Sequence, residues 1–534
     1  MKIRNLFLPA IIILPSLLVY GFWSLETDQF ELPEYRQLTE GKKNFLKQAV
    51  DSVYTESPNI LWIVVDDLSI ADTDLYADGP VSVPNLKRLA NEGVLFTNAY
   101  VSSPVCSPSR AAIATGRYNQ WFGFEHQLHE RYLRNRLEYY AFRYFMDTGP
   151  WIPQFPDSVP DEDFIEQIGI PTSEIMLPEV LEKYGYNSAY IGKWHIGKQE
   201  KSGPQAFGFD HFYGFMASHT LYIPEGTPGF TDQKIEDDFT DKYIWEGQRD
   251  GLHAIQKNGE FIEESRYLTK AITDEAIAYI NDSDGPFYLW TAYNAPHTPL
   301  QAPEAHTEQF SHIEDPVKRV HYAMIKCLDD EVGRLIDHID KKGLAEETLI
   351  MFISDNGGAE YNLTTNNGKY QGGKITNFEG GVKVPMIMRL PGLLEGNQTF
   401  QYPVHATDLF VTSAAVANAS LPSDRPYAGA DLIASIRENR PPHDYIYFQM
   451  GFNRAVRNDR WKMAWNEDNG DTVLFDLQAD PFEQTNYYGE NPKAVHDLRT
   501  AFDKWSEKTH PRSWPSVMLY TYTADDESVY YFDE

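Results

Sequence analysis

Short, wholly apolar runs alternate with amphipathic stretches along most of the chain. Residues 60–65, Ile-Leu-Trp-Ile-Val-Val, are rich in β-branched side chains, which is typical of a strand buried on both faces. Comparable runs predict strands at residues 94–96, 188–192, 287–291, 349–353 and 384–388. Helical spacing of apolar residues predicts helices near residues 86–92, 174–183, 267–280, 321–339 and 408–417. This alternation indicates right-handed crossovers and a mostly parallel central sheet sandwiched by helices.

The pattern changes beyond residue 421. Short runs with turns between them predict antiparallel strands, followed by a helix over residues 493–509; the strands are at residues 445–448, 454–457, 461–465 and 473–477. We therefore predict an α/β fold with a large domain over residues 58–420. A smaller C-terminal subdomain, built on an antiparallel sheet, spans residues 421–534.

The first residues have the character of a targeting segment. Residues 1–24 begin with Met1-Lys2-Ile3-Arg4 and continue as an apolar run, which predicts a signal peptide or an N-terminal anchor. Pro9 and Pro15 interrupt that run and favour cleavage over a spanning helix. Residues 25–57 form a polar lead-in. We expect an exported protein, located in the periplasm, at the cell surface or outside the cell.

Charge and cysteine content narrow the classes of function. The 534 residues include 46 Lys and Arg and 78 Asp and Glu, giving a formal net charge of −32. Such an acidic surface excludes a nucleic-acid partner and requires any site for anions to gather its cations locally. Cys106 and Cys327 are the only cysteines, so the chain has no disulfide framework.

Polar residues follow four of the predicted strands and include both carboxylates and cations. They are Asp66 and Asp67, Lys193 and His195, His297, and Asp355 and Asn356. Because the carboxyl ends of parallel strands share one edge, we expect these side chains to meet there. Asp66, Asp67, Asp355 and Asn356 offer only oxygen, which selects calcium or magnesium over zinc. The alternative for the first pair is that Asp66 and Asp67 cap a turn.

A second concentration of chemistry lies in residues 104–117, Pro-Val-Cys-Ser-Pro-Ser-Arg-Ala-Ala-Ile-Ala-Thr-Gly-Arg. The pattern predicts a loop entering a helix that Gly116 ends or kinks. The N–H groups of such a helix start bind anions, and Arg110 adds a planar cationic donor. Cys106 would be a nucleophile beside this anion site, or alternatively an ordinary buried thiol.

The motif Cys106-Ser107-Pro108-Ser109-Arg110, followed by Thr115-Gly116-Arg117, resembles the signature of the type I sulfatases, within the alkaline phosphatase-like superfamily. The resemblance implies that a formylglycine-generating or other sulfatase-maturating enzyme oxidises Cys106 to formylglycine. It also implies one calcium ion, bound by Asp66, Asp67, Asp355, Asn356 and the side chain at position 106.

The resemblance further assigns roles in catalysis. One hydroxyl of the aldehyde hydrate attacks sulfur, activated by calcium and Arg110 with Asp355 as candidate base. Lys374 and His297 flank the departing oxygen, and His195 takes the proton of the second hydroxyl as sulfate leaves. Lys193 belongs with these residues to the set that binds sulfate oxygens and moves protons. Ser218 or His219 matches a further sulfate contact more loosely.

Two long insertions, residues 118–171 and 219–266, carry candidates for substrate recognition, namely Trp121, Trp151, Trp245, His126, His129, Arg131, Arg134 and Arg136. Aromatic faces stack on sugars and arginines bind sulfates, so we expect a sulfated poly- or oligosaccharide as substrate. Packing within the insertions would explain the same residues. Two alternatives remain: a phosphate or phosphonate ester hydrolase of the superfamily, and a non-catalytic glycan-binding relative.

Overall fold

The structure is a computed structural model, and it describes residues 26–27, 30, 32–33, 35–48, 57–154 and 158–534. The predicted targeting segment, residues 1–24, lies outside the described residues. Within the part of the chain that is described, no helix is both long enough and apolar enough to cross a membrane.

The predicted central sheet has eleven strands. Five neighbouring strands in its middle are parallel: His211–Phe215, Asn187–Lys193, Phe287–Pro296, Asn59–Asp66 and Thr348–Ser354. On one side the sheet continues through Lys383–Arg389, Val94–Tyr100 and Gln398–Phe400, with Val404–His405 also paired to Val94–Tyr100. On the other side it ends in the short strands Gln256–Lys257 and Glu260–Phe261. The mostly parallel α/β sheet expected from the sequence is confirmed.

Helices cover both faces of this sheet, and the central strand shows why. Every residue of Asn59–Asp66 is buried. Ile60, Trp62 and Val64 join one hydrophobic core, whereas Leu61, Ile63 and Val65 join the other. Successive side chains of a strand point to opposite faces, so an unbroken apolar run serves both layers at once.

The helices agree with the pattern of apolar residues, apart from small shifts at their ends. The α-helices are Arg36–Lys47, Pro84–Asn91, Cys106–Thr115, Arg136–Phe145, Glu162–Gln167, Leu177–Leu181, Phe239–Gly247, Leu268–Asp282, Glu304–Thr307, Pro316–Lys341, Glu379–Val382, Asp408–Val416, Leu432–Glu438 and Pro492–Ser506. The helix expected over residues 174–183 begins later, at Leu177, and its last turn, Glu182–Tyr184, is 3₁₀. The Glu179 carboxylate accepts a 3.0 Å hydrogen bond from Met176 N–H, which fixes this later start.

The C-terminal region forms the predicted antiparallel sheet, in the strand order Ile446–Met450, Asn453–Arg457, Trp461–Asn466 and Thr472–Asp476. Leu498, Phe502 and Trp505 of the final helix pack against it. A further sheet, which the sequence did not predict, joins Met518–Thr523 to Val529–Asp533 and to Trp151–Pro153 of the first insertion. The remaining short pairs are Leu300–Pro303 with Phe230–Gln233, and Glu26–Thr27 with Ser158–Val159.

Gly116 ends the helix that begins at Cys106, in the left-handed region with φ 66°. A Cβ atom there would lie 2.8 Å from the Phe410 ring. Strain and overpacking should together lower the free energy of unfolding of Gly116→Ala by about 2–4 kcal/mol, measured by chemical denaturation. Gly149 is the control, because its φ is 56° and its Cβ would meet nothing within 4 Å. Equal losses in both variants would contradict the packing argument.

Candidate active site

Cys106 is the first residue of a buried helix, at the edge of the sheet where the parallel strands end. Val105 is extended, and the chain turns helical at Cys106 with Pro108 in the first turn, where a missing N–H costs nothing. The Cys106 side chain is 1% exposed. Its Sγ lies 3.4 Å from Asp66 Oδ1 and 3.9 Å from Asp67 Oδ1. The helix N-terminus and the first strand-end pair therefore meet, as the sequence predicted.

The second carboxylate-bearing strand end lies beside the first. Thr348–Ser354 is hydrogen-bonded to Asn59–Asp66, so Asp355 and Asn356 leave the sheet next to Asp67. Asp67 has a φ of 63°, and its backbone N–H donates a 3.3 Å hydrogen bond to Asp355 Oδ1. Asn356 Nδ2 lies 2.6 Å from Asp67 Oδ1. Left-handed backbone at a non-glycine residue is typical of functional sites, since the fold must hold it in place.

Each of the three buried carboxylates is matched by one cation. Lys193 Nζ lies 2.6 Å from Asp66 Oδ2, and Lys374 Nζ lies 2.9 Å from Asp67 Oδ2. Arg110 Nε donates a 2.7 Å hydrogen bond to Asp355 Oδ2.

Burial disfavours the ionised form of Asp66, but the charges of Lys193, Arg110 and Lys374 outweigh this effect and hold the pKa of Asp66 well below its usual range. Burial and the charge of Asp66 instead raise the pKa of Asp355.

Two histidines complete the cluster, and burial favours the neutral form of both. His297 Nε2 lies 3.7 Å from Asp67 Oδ2, while its Nδ1 lies 2.6 Å from the Thr298 carbonyl oxygen. Burial, followed by the charge of Lys374, lowers the pKa of His297 to about 4. Burial also places the pKa of His195 well below its usual value. His195 has a φ of 54°, and its buried Nδ1 has no hydrogen-bond partner among the described residues. A ligand can satisfy this nitrogen.

The cluster suits a hard divalent cation. Ligand atoms of Asp66, Asp67, Cys106 and His297 all lie within 4.8 Å of one another. The amide oxygen of Asn356 is buried and accepts no hydrogen bond from the described residues, although such an oxygen normally has a partner. A calcium ion beside Asp66, Asp67 and Asp355 would satisfy it. His297 was predicted as a proton carrier rather than a neighbour of the metal, and its place in this group emerges only in three dimensions.

The structure thus gathers the predicted site residues in one buried cluster. They are Asp66, Asp67, Cys106, Arg110, Lys193, His195, His297, Asp355, Asn356 and Lys374. Lys374 follows no predicted strand. A backbone hydrogen bond of 2.9 Å from its N–H to the Gly358 carbonyl holds it beside the segment that follows Asp355.

His219, the looser match, lies on one side of this cluster. Its Nδ1 is 2.8 Å from Ser218 Oγ, and its Nε2 is buried without a partner among the described residues. The His253 ring packs 4.4 Å from the His219 ring, centre to centre. His253 Nδ1 lies 2.7 Å from the His219 carbonyl oxygen, and Glu130 lies 3.2 Å from His253 Nε2. Sequence reasoning missed His253 and Glu130, because they come from two different insertions.

The tryptophans offered as sugar-stacking residues are not available for that role. Trp121, Trp151 and Trp245 are 4%, 6% and 3% exposed, and they pack inside the protein. His126 is also buried. Large aromatic side chains contribute most when buried, so the insertions use these rings to hold themselves to the body of the protein. The expectation that these rings stack on sugars was therefore wrong for the three tryptophans.

The fold and the site define a class of protein: an enzyme with a mixed α/β fold that acts on esters of tetrahedral oxyanions, with Cys106 at a helix start and three cations around it. Within this class the family is clear. The model of the sulfatase family matches residues 58–419. The chain belongs to the sulfatase family and is a sulfuric ester hydrolase.

Similar proteins agree with this assignment. Human N-acetylgalactosamine-6-sulfatase is 32% identical over 406 residues, which cover 74% of this chain and 69% of that protein. Human steryl-sulfatase is 28% identical, covering 77% and 76% of the two chains. Among solved structures, Ps i-CgsB in complex with k-i-k-neocarrahexaose superposes with a TM-score of 0.72 at 28% identity, covering 86% of this chain and 94% of that one.

Proposed function

We propose that this sulfatase removes sulfate from a sulfated poly- or oligosaccharide, using formylglycine at position 106 and one calcium ion. The observation that carries the proposal is that Cys106 lies in a buried cluster with three cations and three carboxylates. The glycan substrate is supported by two relatives, one named as an N-acetylgalactosamine-6-sulfatase and one crystallised with a neocarrahexaose.

Cations on the Asp66 side of Cys106 are suited to binding sulfate oxygens. Arg110 and Lys193 stand on the Asp66 side of Cys106 and are held by carboxylates and by the Lys193 carbonyl, which accepts from Arg110 Nη1 at 3.0 Å. Fixed cations of this kind bind sulfate oxygens and stabilise the charge that develops on them. The N–H groups at the start of the helix add to the same field.

Lys374 and His297 stand on the Asp67 side and are suited to the leaving oxygen. Lys374 is held in its charged form because, although burial opposes it, the charge of Asp67 raises its pKa well above the usual value. It therefore carries a proton that can be given to the departing sugar alkoxide. The 2.6 Å contact of His297 Nδ1 with the Thr298 carbonyl fixes the ring and turns Nε2 toward Asp67.

A calcium ion and formylglycine at position 106 would supply the rest of the chemistry. A bound calcium would polarise the sulfate and acidify a neighbouring hydroxyl, and an aldehyde hydrate would provide two hydroxyl groups on one carbon. Asp66, Asp67, Asp355 and the Asn356 amide oxygen are the residues that would hold the ion. His195 would accept a proton through a ring nitrogen, since burial keeps its imidazole neutral.

The proposal includes an exported location and a maturation partner. The charged start and apolar run of residues 1–24 support export. The motif from Cys106 to Arg110 supports recognition by a formylglycine-generating or other sulfatase-maturating enzyme, acting before the helix is buried.

The decisive experiment determines the chemical state of residue 106 and the sulfatase activity in the same preparation. Peptide mass spectrometry should show residue 106 with H₂S replaced by O in any active preparation. The same preparation should release sulfate from at least one member of a panel of sulfated glycans and their oligosaccharides. Matched phosphate and sulfate esters of one alcohol test the phosphatase alternative. An active protein with an intact thiol, or phosphate hydrolysis faster than sulfate hydrolysis, would refute the proposal.

Calcium removal gives a separate prediction. Dialysis against a chelator should lower kcat/KM by about 10²-fold or more, because the ion that would polarise the sulfate and acidify the attacking hydroxyl is removed. Added calcium should restore the activity, and elemental analysis should give one ion per chain. Retention of full activity in metal-free protein would contradict this prediction.

A further inference from the structure

Helix Arg136–Phe145 in the first insertion leaves its apolar side in solvent. The helix is properly started, since Asn135 Oδ1 accepts a 2.9 Å hydrogen bond from Glu138 N–H. None of its residues is buried. Leu137, Tyr140 and Tyr144, spaced along one helix face, are 42%, 41% and 68% exposed, and Phe145 is 86% exposed. A row of large exposed apolar side chains on a folded protein usually marks a contact surface.

The helix and the residues that flank it are basic, in contrast to the rest of the molecule. Residues 131–146 contain four arginines and one glutamate, whereas the whole chain has a formal charge of −32. Arg131 pairs with that glutamate, Glu138. Arg134 and Arg143 are exposed, and no acidic side chain in the described ranges forms an ion pair with either of them. Their charges are therefore available to an anionic partner.

The exposed rings form a platform. The ring centres of Tyr140 and Tyr144 lie 6.1 Å apart with an angle of 25° between the ring planes, so the two rings are neighbours and nearly parallel. Aromatic faces of this kind pack against the C–H faces of sugars, and the planar guanidinium of arginine binds sulfate through paired hydrogen bonds. Arg143 follows Tyr140 by three residues on the helix, and this spacing places a cation on the same side as the Tyr140 ring.

The platform is connected to the catalytic centre. The helix packs against strand Trp151–Pro153. The Trp151 ring lies 5.1 Å from the Tyr361 ring, and both pack in the hydrophobic cluster that contains Val105 and Ile375, the chain neighbours of Cys106 and Lys374. The helix therefore lies one strand and one small cluster away from Lys374, within reach of a polymer chain held there, and this proximity favours a polymer chain over a membrane surface as the occupant.

We propose that the face formed by Leu137, Tyr140, Arg143 and Tyr144, together with Arg134, is a secondary binding surface for a sulfated polysaccharide chain. This surface binds a part of the polysaccharide whose sulfates are not being cleaved. The tyrosine rings pack against the sugars, and the arginines bind the sulfates. The inference rests on the proposed function in that the polymer is also the substrate.

The test compares a polymer with a small substrate. The quadruple variant Arg134→Ser/Tyr140→Ser/Arg143→Ser/Tyr144→Ser should bind ι-carrageenan and chondroitin 6-sulfate about tenfold more weakly in affinity electrophoresis, which corresponds to about 1.4 kcal/mol. Its KM for whichever polymer is desulfated should rise by a similar factor, while kcat and KM for 4-nitrophenyl sulfate stay unchanged. Added salt should weaken binding of the parent protein more than that of the variant.

A matched control removes similar side chains elsewhere: Tyr488→Ser/Arg440→Ser, both exposed and distant in sequence, should leave polymer binding unchanged. Binding is also measured in a Cys106→Ala background, so a failure of the proposed reaction does not hide the surface. Unchanged polymer binding in the quadruple variant would overturn the inference. So would binding of the parent protein to phosphatidylserine vesicles but to neither polymer, or a helix-dependent dimer in light scattering without polymer binding.

Discussion

The Cys106→Ala variant is expected to lose sulfatase activity by about 10⁴-fold or more, because the position that supplies the nucleophile is removed while the cations around it remain. The side chain is 1% exposed and contacts Asp66 and Asp67, so no neighbouring group can replace it. Sulfate release from a glycan oligosaccharide and from 4-nitrophenyl sulfate should fall together. Substrate binding should persist, since Arg110, Lys193 and Lys374 keep their carboxylate partners.

Cys327→Ala provides the matched control. Cys327 is the second cysteine and is 4% exposed within the helix Pro316–Lys341, where it belongs to the hydrophobic core away from the site. Its loss should cost about 1–2 kcal/mol of unfolding free energy and leave kcat/KM unchanged. If Cys106→Ala kept more than a hundredth of the activity, or if Cys327→Ala lost activity to the same extent, position 106 would not carry the reaction.

Much of the fold could be predicted because its strands are buried on both faces. Residues 60–65 contribute side chains to two hydrophobic cores, one on each face of the sheet. Only a central parallel strand combines such burial with polar residues directly after it. Asp66, Lys193, His297 and Asp355 were placed at one edge by this argument, and the structure brings them there. The topology of the parallel strands was therefore sufficient to predict that these side chains form a single site.

What the sequence did not give depends on contacts between distant insertions. The pairing of Trp151–Pro153 with Met518–Thr523 has no local signal, because a three-residue strand shows no period. The same insertion buries Trp151, a predicted sugar-stacking residue, and exposes Tyr144, which the sequence did not indicate. The His219–His253–Glu130 group likewise joins residues whose spacing in sequence indicates nothing. Substrate recognition is thus the part of the protein that required a structure.

The Lys374→Ala variant is expected to lose kcat by about 10²–10⁴-fold on a sulfated oligosaccharide, the range of a lost general acid. Its Nζ lies 2.9 Å from Asp67 Oδ2, and that carboxylate keeps it protonated. A sugar alkoxide is a strong base and needs this proton, whereas 4-nitrophenolate leaves without one. The loss should therefore be much smaller on 4-nitrophenyl sulfate, and the ratio of the two losses measures proton delivery separately from sulfate binding.

Lys383→Ala is the control for removing a buried lysine. Lys383 is 6% exposed and donates a 3.0 Å hydrogen bond to Asn98 Oδ1, outside the catalytic cluster. It should lower the thermal midpoint without changing the ratio of kcat values on the two substrates. An equal loss on both substrates for Lys374→Ala would assign Lys374 to sulfate binding alone and leave His297 as the proton donor, which would require the bound sulfate to raise the pKa of His297 from about 4. His297→Ala should then show the dependence on leaving group that Lys374→Ala lacks, because one of the two residues beside Asp67 must protonate the sugar oxygen.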